Sequence, residues 1–350
     1  MNNVPNLRFP EFQGEWGKYR IEDITENISS GRCKSYSSNG KYNLYGSTGI
    51  IGKTDEACYE GNLVLVARVG ANAGFLQIIN EPCGITDNTL IIKPKKVDAQ
   101  YIYYFLQHFN LNRLVFGSGQ PLITGGMLKK VKVSLGNIQE QNKLTRLLSL
   151  LDERIATQNK IIDKLQSLIK GIAQHCIREL INGWEYVRLG DICKITTGKL
   201  DANAQVENGQ YPFFTCAERP SNIDSYAFDT EALLISGNGA NLGYINYHKG
   251  KFNAYQRTYV LDHFSVNIQY VKWALKVLLP QRIAIEKSSS NTPYIVLSTL
   301  ADLKIPIPNN SKQNQIADLM MSFERKLSTK LALSDLYNKQ KQYLLRQMFI

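Results

Sequence analysis

The chain has 350 residues, enough for two domains with cores of their own, and 41 Lys+Arg against 30 Asp+Glu leave it a net charge of +11. That balance favours a polyanionic partner, because each phosphate neutralised releases condensed counterions, although charge alone does not name the partner. No apolar run approaches the roughly 20 residues of a membrane helix, the start MNNVPNLRFPEFQGEW lacks a signal-type apolar core, and Cys33, Cys58, Cys83, Cys176, Cys193 and Cys216 show no Cys-x-x-Cys spacing, which argues against a zinc site and for reduced thiols in a cytoplasmic protein.

In chain order, the first segment carries Trp16, Arg20, Ile21, Asp23 and Ile24, and the acid reads as part of a structural opening turn. YGSTGIIGKT (45–54) looks like a phosphate-binding loop, but the required glycine position holds Ser47, so a turn is expected. NLVLVA (62–67), GFLQII (74–79) and NTLII (88–92) read as strands. Between the first two lies RVGANAG, with Gly70, Asn72 and Gly74. AQYIYYFLQHF (99–109) has helical length, with Ile102, Phe105 and Phe109 on one face. Its Tyr101, Tyr103 and Tyr104 read either as helix core or as a base-stacking platform. GSGQPLI (117–123) is a loop, and LKKVKVSL (128–135) returns to strand character.

From Gln139 to Ile181 there is no proline. Apolar residues recur at Leu144, Leu148, Leu151, Ile155, Ile162, Leu165, Ile169 and Ile172, and Gln158 and Cys176 complete an unbroken 4-3-4-3 register. That is a heptad seam sustained for nearly five heptads, with polar Gln158 placed to fix its pairing register.

The remainder repeats the plan. Trp184, Arg188, Leu189, Asp191 and Ile192 match the opening turn, and GNGANLG (237–243) matches RVGANAG, with Asn238, Gly239, Asn241 and Gly243. CGITDNTLII (83–92) falls on FNAYQRTYVL (252–261), AQYIYYFLQ on IQYVKWALK (268–276), and GSGQPLI on SSNTPYI (289–295). The offset stays between 168 and 172 throughout, so a domain has been duplicated. Lys312 to Ile350 is a second long helix with a weaker seam: Ile316, Met320, Phe323, Leu327, Tyr337, Leu344 and Met348, interrupted by Lys330, Ser334 and Lys341. A helix of about 40 residues is roughly 60 Å long, too long to bury its stripe on a small domain, so each should pack on the other.

The expected architecture is therefore two α/β (α+β) globular domains at 1–137 and 182–310, joined by long helices at 138–181 and 311–350 that form an antiparallel coiled coil with pseudo-twofold symmetry. No nuclease, methyltransferase, metalloprotease or nucleophile-elbow motif is present, and no histidine recurs at an aligned position. His108 and His175 lie in helical segments, His248 and His263 near strand ends. The chain reads as a non-enzyme.

The chain resembles the specificity subunit of type I restriction–modification systems over essentially its whole length. The resemblance rests on Trp184-x-x-x-Arg188-Leu189-Gly190-Asp191-Ile192 and its partner at 16–24, and on the two Gly-x-Asn-x-Gly loops. It rests also on Ile305-Pro306-Ile307-Pro308 before one long helix and Glu140-Gln141 at the start of the other. The first copy departs with Val133-Ser134-Leu135-Gly136, and the second with Lys312-Gln313. The resemblance implies two target recognition domains, each reading half of a bipartite asymmetric site in double-stranded DNA, with the helices setting the spacer. It implies two docked methyltransferase subunits that methylate adenine N6 with their own S-adenosylmethionine. Restriction subunits using ATP and Mg can join, and no cofactor belongs to this chain.

Features shared by both heads should grip backbone or fix shape, and features that differ should set specificity. Arg68, Asn72 and Asn241 could contact DNA, or the loops could be scaffold whose Asn bonds its own backbone. Asp87-Asn88 against Gln256-Arg257, and Ser118 and Gln120 against Ser290-Asn291, are the candidates for base reading. Lys129, Lys130 and Lys132 read as phosphate contacts or as a solvated strand face. The rival class is a coiled-coil scaffold with two protein-binding heads and no DNA role.

Overall fold

A computed structural model describes residues 3–33, 36–115, 121–179, 183–287 and 294–350. It divides into two compact units, residues 1–159 with 332–350, and residues 160–331. Both boundaries fall inside a long helix.

Unit 1 holds β1 (Gly17–Arg20), β2 (Thr25–Ser30), β3 (Tyr42–Gly46), β4 (Gly49–Thr54), β5 (Leu63–Ala67), β6 (Leu76–Ile79), β7 (Cys83–Ile85), β8 (Thr89–Pro94), α1 (Ala99–Phe109), α2 (Gly125–Lys129), β9 (Lys132–Leu135) and the first part of α3 (Ile138–Gln174). Its sheets run β2-β8-β5-β6, β4-β3-β7 and β1-β9. Every residue of β5 is buried, and the strand period of 2 splits them. Val64 and Val66 join the core under α1, while Leu63 and Leu65 face the smaller core with Cys83 and Ile85. YGSTGIIGKT is the β3–β4 hairpin, as its broken motif requires.

Unit 2 holds β10 (Glu185–Arg188), α4 (Leu189–Ile192), β11 (Lys194–Thr197), β12 (Tyr211–Phe214), β13 (Ser221–Ile223), β14 (Phe228–Ser236), β15 (Ile245–Ala254), β16 (Thr258–Asp262), α5 (Ile268–Lys287), α6 (Leu297–Ala301), β17 (Lys304–Ile307) and the first part of α7 (Asn310–Met348). The duplication is visible bond by bond. Gly17↔Leu135 pairs β1 with β9 as Glu185↔Ile307 pairs β10 with β17, and Leu44↔Gly84 is parallel as Phe213↔Asn253 is. Tyr101 donates its hydroxyl to Ser134 O at 2.8 Å, and Tyr270 donates to Pro306 O at 2.5 Å. Tyr101 and Tyr104 are buried, so the core reading of that helix holds over a stacking platform. One difference is large: β6 and β7 of unit 1 correspond to the single ten-residue β15, giving unit 2 one six-stranded sheet. His248 lies inside that strand opposite Ala232, not near a strand end as expected.

In unit 1 the helices run antiparallel. Asn159 accepts from Ser334, Arg154 stacks on Tyr337 and Lys341 pairs with Asp152, so partner numbers fall as α3 advances. Leu144 and Leu148 join the domain core with Leu345, Met348 and Phe349, and Leu344 packs against it; Leu151 is buried too and Ile155 half-buried. In unit 2, Leu165, Ile169, Ile316 and Met320 share the core, with Phe323 and Leu327 against it, and Ile162 is buried. Gln158 is buried in the α3 stripe, and on α7 the three interrupting residues are half-buried like Tyr337.

Glu140 does more than favour a helix dipole. Its carboxylate accepts from Arg8 Nε at 2.7 Å and Nη2 at 2.9 Å, and from Trp16 Nε1 at 3.1 Å. Lys312 at the matching place cannot accept, yet the neighbouring amide role survives: Gln141 Nε2 donates to Gly136 O and Gln313 Nε2 to Pro308 O, both at 2.8 Å.

Candidate nucleic-acid interface

Each glycine loop closes the hairpin after the central strand by one set of bonds. In unit 1, Gly74 N–H donates to Ala67 O, Ala73 N–H to Gly70 O and Phe75 N–H to Asn72 O. In unit 2, Gly243 donates to Ser236, Leu242 to Gly239 and Tyr244 to Asn241. Both ends of each motif have φ between 78° and 90°, a left-handed conformation that glycine adopts without a Cβ penalty.

The same strand end gathers two further segments. Arg68 N–H donates to Asn88 O while Ile123 N–H donates to Arg68 O; Gly237 N–H donates to Arg257 O while Ile295 N–H donates to Gly237 O. The glycine loop, the turn before the last large-sheet strand and the segment after the main helix therefore meet in each unit. This three-way junction brings together Arg68, Asn72, Asp87 and Asn88 in unit 1, and Asn238, Asn241, Gln256 and Arg257 in unit 2. Asp87, Asn88, Gln256 and Arg257 are all exposed on a turn whose backbone is the same in both units. Ser118, Gln120, Ser290 and Asn291 lie outside the described residues.

The loop asparagines divide. Asn241 Nδ2 donates to Cys216 O at 3.1 Å, a scaffold bond, while Asn72 is exposed with no side-chain partner among the described residues. Arg68 is half-buried, its Nε sealed from water without a partner among the described residues. Unit 2 has no space for an equivalent: a Cβ at Gly237 would collide with Arg257 O and lie 3.1 Å from the Tyr259 ring. Burial raises the Tyr259 hydroxyl pKa, and its proton is held on Ile295 O at 2.9 Å. Lys129 and Lys130 correct the sequence reading. They are exposed at the end of α2 and its cap, not on a strand, which starts at Lys132; among the described residues no hydrogen bond ties them to the junction.

Pattern reading missed five residues. Ser47 Oγ donates to Asn88 O at 3.2 Å and Cys216 Sγ to Arg257 O at 3.5 Å, the same bond at an offset of 169. Gln77 Nε2 on β6 donates to Gly46 O and Ser47 O, holding the turn that carries Ser47. Phe75 and Tyr244, each following the last loop glycine, leave an aromatic ring 47% and 40% exposed. That repeat of an aromatic was legible in GANAGF and GANLGY.

Among the described residues no group of His, Cys, Asp and Glu is placed to hold a metal, and no helix is long and apolar enough to cross a membrane. The junction offers hydrogen-bonding amides, a guanidinium and exposed rings, a set suited to recognition.

The family model of the type I restriction modification DNA specificity domain matches residues 13–167 and again 181–333. The specificity subunit of the Escherichia coli type I restriction enzyme EcoDI is 44% identical over 135 residues, which span 39% of this chain and 30% of that protein. The MjaIX specificity subunit of Methanocaldococcus jannaschii is 24% identical across 84% of this chain and 83% of its own length. Among solved structures, the type I restriction–modification S subunit of M. genitalium shares the fold with a TM-score of 0.76, covering 99% of both chains at 19% identity.

Proposed function

This chain belongs to the type I restriction–modification DNA specificity family, and from that premise we propose that each of its two units reads one half of a bipartite, asymmetric site in double-stranded DNA. The chain is the non-catalytic specificity subunit; chemistry belongs to its partners. The observation that carries the two-reader proposal is the junction built twice. One backbone knot presents Asp87-Asn88 in one unit and Gln256-Arg257 in the other, so shape is held constant while the exposed donors and acceptors change.

In this reading α3 and α7 set the length of the spacer between half-sites. They also offer the docking surface for two methyltransferase subunits, which methylate adenine N6 with S-adenosylmethionine of their own. Restriction subunits that use ATP and Mg complete the restricting form. The net charge of +11 supports a phosphate-bearing partner.

The test is a genome-wide map of N6-methyladenine in cells expressing this chain with its methyltransferase, against the methyltransferase alone. A bipartite motif that depends on the chain is the expected result. A stable complex that adds no motif would support a scaffold with protein-binding heads instead.

A further inference from the structure

The two heads part company beside the shared loop. In unit 1, α1 stops at Phe109: Asn110 turns to φ 59°, its N–H reaches Leu106 O, and a short 3-10 turn follows over Leu111–Leu114. In unit 2, α5 runs on from Ile268 to Lys287. The consequence shows at the last loop glycine. Gly74 faces Leu111 and Asn112, whereas a Cβ at Gly243 would lie 2.5 Å from Ile283 Cδ1, with Leu279 behind.

The early stop of α1 borders a cleft of about 510 Å³ between helix end and loop. Asn72, Phe75, Tyr103, Gln107, Asn110 and Asn112 are among the side chains that line it, and none of the described lining residues is charged. Amides can donate to phosphate oxygens, but they carry no charge, and without a cation the cleft lacks the electrostatic attraction that dominates backbone binding. It is well matched to a base edge. An Asn or Gln amide spans adenine N6 and N7, and Phe or Ala packs on the thymine methyl. Here the Asn72 amide, with no side-chain partner among the described residues, lies between Ala71 and Ala73 in the chain, three residues before the exposed Phe75.

We propose that this cleft is a second specificity surface of unit 1, beside the Asp87-Asn88 turn, and takes the major-groove edge of an A·T pair in one half-site. Unit 2 reads its half-site by other groups, because Ile283 and Leu279 stand against its loop where the amides stand in unit 1. The inference rests on the two-reader function above.

The experiment repeats the methylation map with Asn72→Ala, Gln107→Ala and the double variant, each in the full chain with its methyltransferase. Thermal unfolding is run alongside to confirm an intact fold. The expected result is relaxed preference at one or two A·T positions of a single half-site, by roughly five- to hundredfold. The other half-site and the spacer stay unchanged. An unaltered motif at wild-type methylation overturns the proposal, and so does a uniform fall in methylation with both half-sites intact. If the wild-type chain itself yields no bipartite motif, the underlying function fails rather than the assignment of the cleft.

Discussion

Lys341 Nζ lies 2.6 Å from Asp152 Oδ1, and the same lysine stands over the Tyr104 ring, whose hydroxyl donates to Asp152 Oδ2 at 2.9 Å. The break that Lys341 makes in the α7 stripe is therefore a bridge from α7 through α3 to α1. With Lys341 only 16% exposed, removing its charge leaves a partly buried carboxylate short of a partner. Lys341→Ala should lower stability by about 1–3 kcal/mol, while Lys341→Leu, which leaves Asp152 equally unpaired but restores the apolar stripe, should cost less. Urea unfolding measures both. An alanine variant as stable as the parent would show that the bridge contributes nothing.

Glu140 is the stronger anchor. It is 2% exposed and accepts from Arg8 and Trp16, so Glu140→Ala leaves the indole N–H without its acceptor and the Arg8 guanidinium with only the Gly14 and Gln13 carbonyls and no counter-charge. A loss of about 3–5 kcal/mol is expected, confined to unit 1. Hydrogen exchange reads that confinement: amides of 17–20 and 132–135 should lose protection before those of 185–188 and 304–307. Equal loss in both units would contradict it.

Acid should act on unit 2 through Glu324. Burial pushes its pKa up, but Lys276 and Lys272 outweigh burial and hold it below the usual 4.5. The folded value is the lower one, so its stabilisation is complete above about pH 4.5 and fades as pH falls through the folded value. Lys272 works the other way: burial lowers its pKa, and the penalty on its charged form is lifted only in the alkaline range. Glu324→Gln should lower stability at neutral pH and flatten the slope of stability against pH below about 5. A variant with the parent's acid slope would remove Glu324 from this role.

Two glycines should respond with opposite sign. Gly243 has φ 80° and Ile283 against its Cβ position, so Gly243→Ala should cost about 1–3 kcal/mol. Gly171 lies exposed within α3 with nothing near its Cβ position, and Gly171→Ala should gain roughly 0.5–1 kcal/mol. Melting temperatures that moved in the same direction would contradict this account of the loop.

Local pattern made much of this legible. The apolar run LVLVA gave its strand, the 4-3-4-3 register gave α3, and the constant offset gave the duplication, because each is written in short-range spacing. What escaped depends on distant partners. Nothing within LKKVKVSL says that a helix claims Lys129 before β9 begins, and nothing near Cys216 reveals its bond to Arg257. The fusion of two strands into β15 and the different lengths of α1 and α5 arise where the copies have diverged. The candidate interface was half visible: its loops repeat in sequence, but the junction that joins them exists only in three dimensions.

Leu7 N–H donates to Gln347 O, and Phe349 packs on Tyr101, Phe105 and His108. A unit that begins with residues 1–159 is thus finished by a segment made roughly 170 residues later. Residues 160–331 form a contiguous unit that can fold as it emerges, while residues 1–159 wait for 332–350. At ordinary synthesis rates that wait is on the order of ten seconds or more. Until then Tyr101 and Phe105 lack their cover, so the N-terminal head is the one that nascent-chain chaperones should meet. A frameshift just ahead of residue 332 would therefore cripple the unit built on residues 1–159, more than three hundred codons upstream at its far end, while leaving 160–331 able to fold.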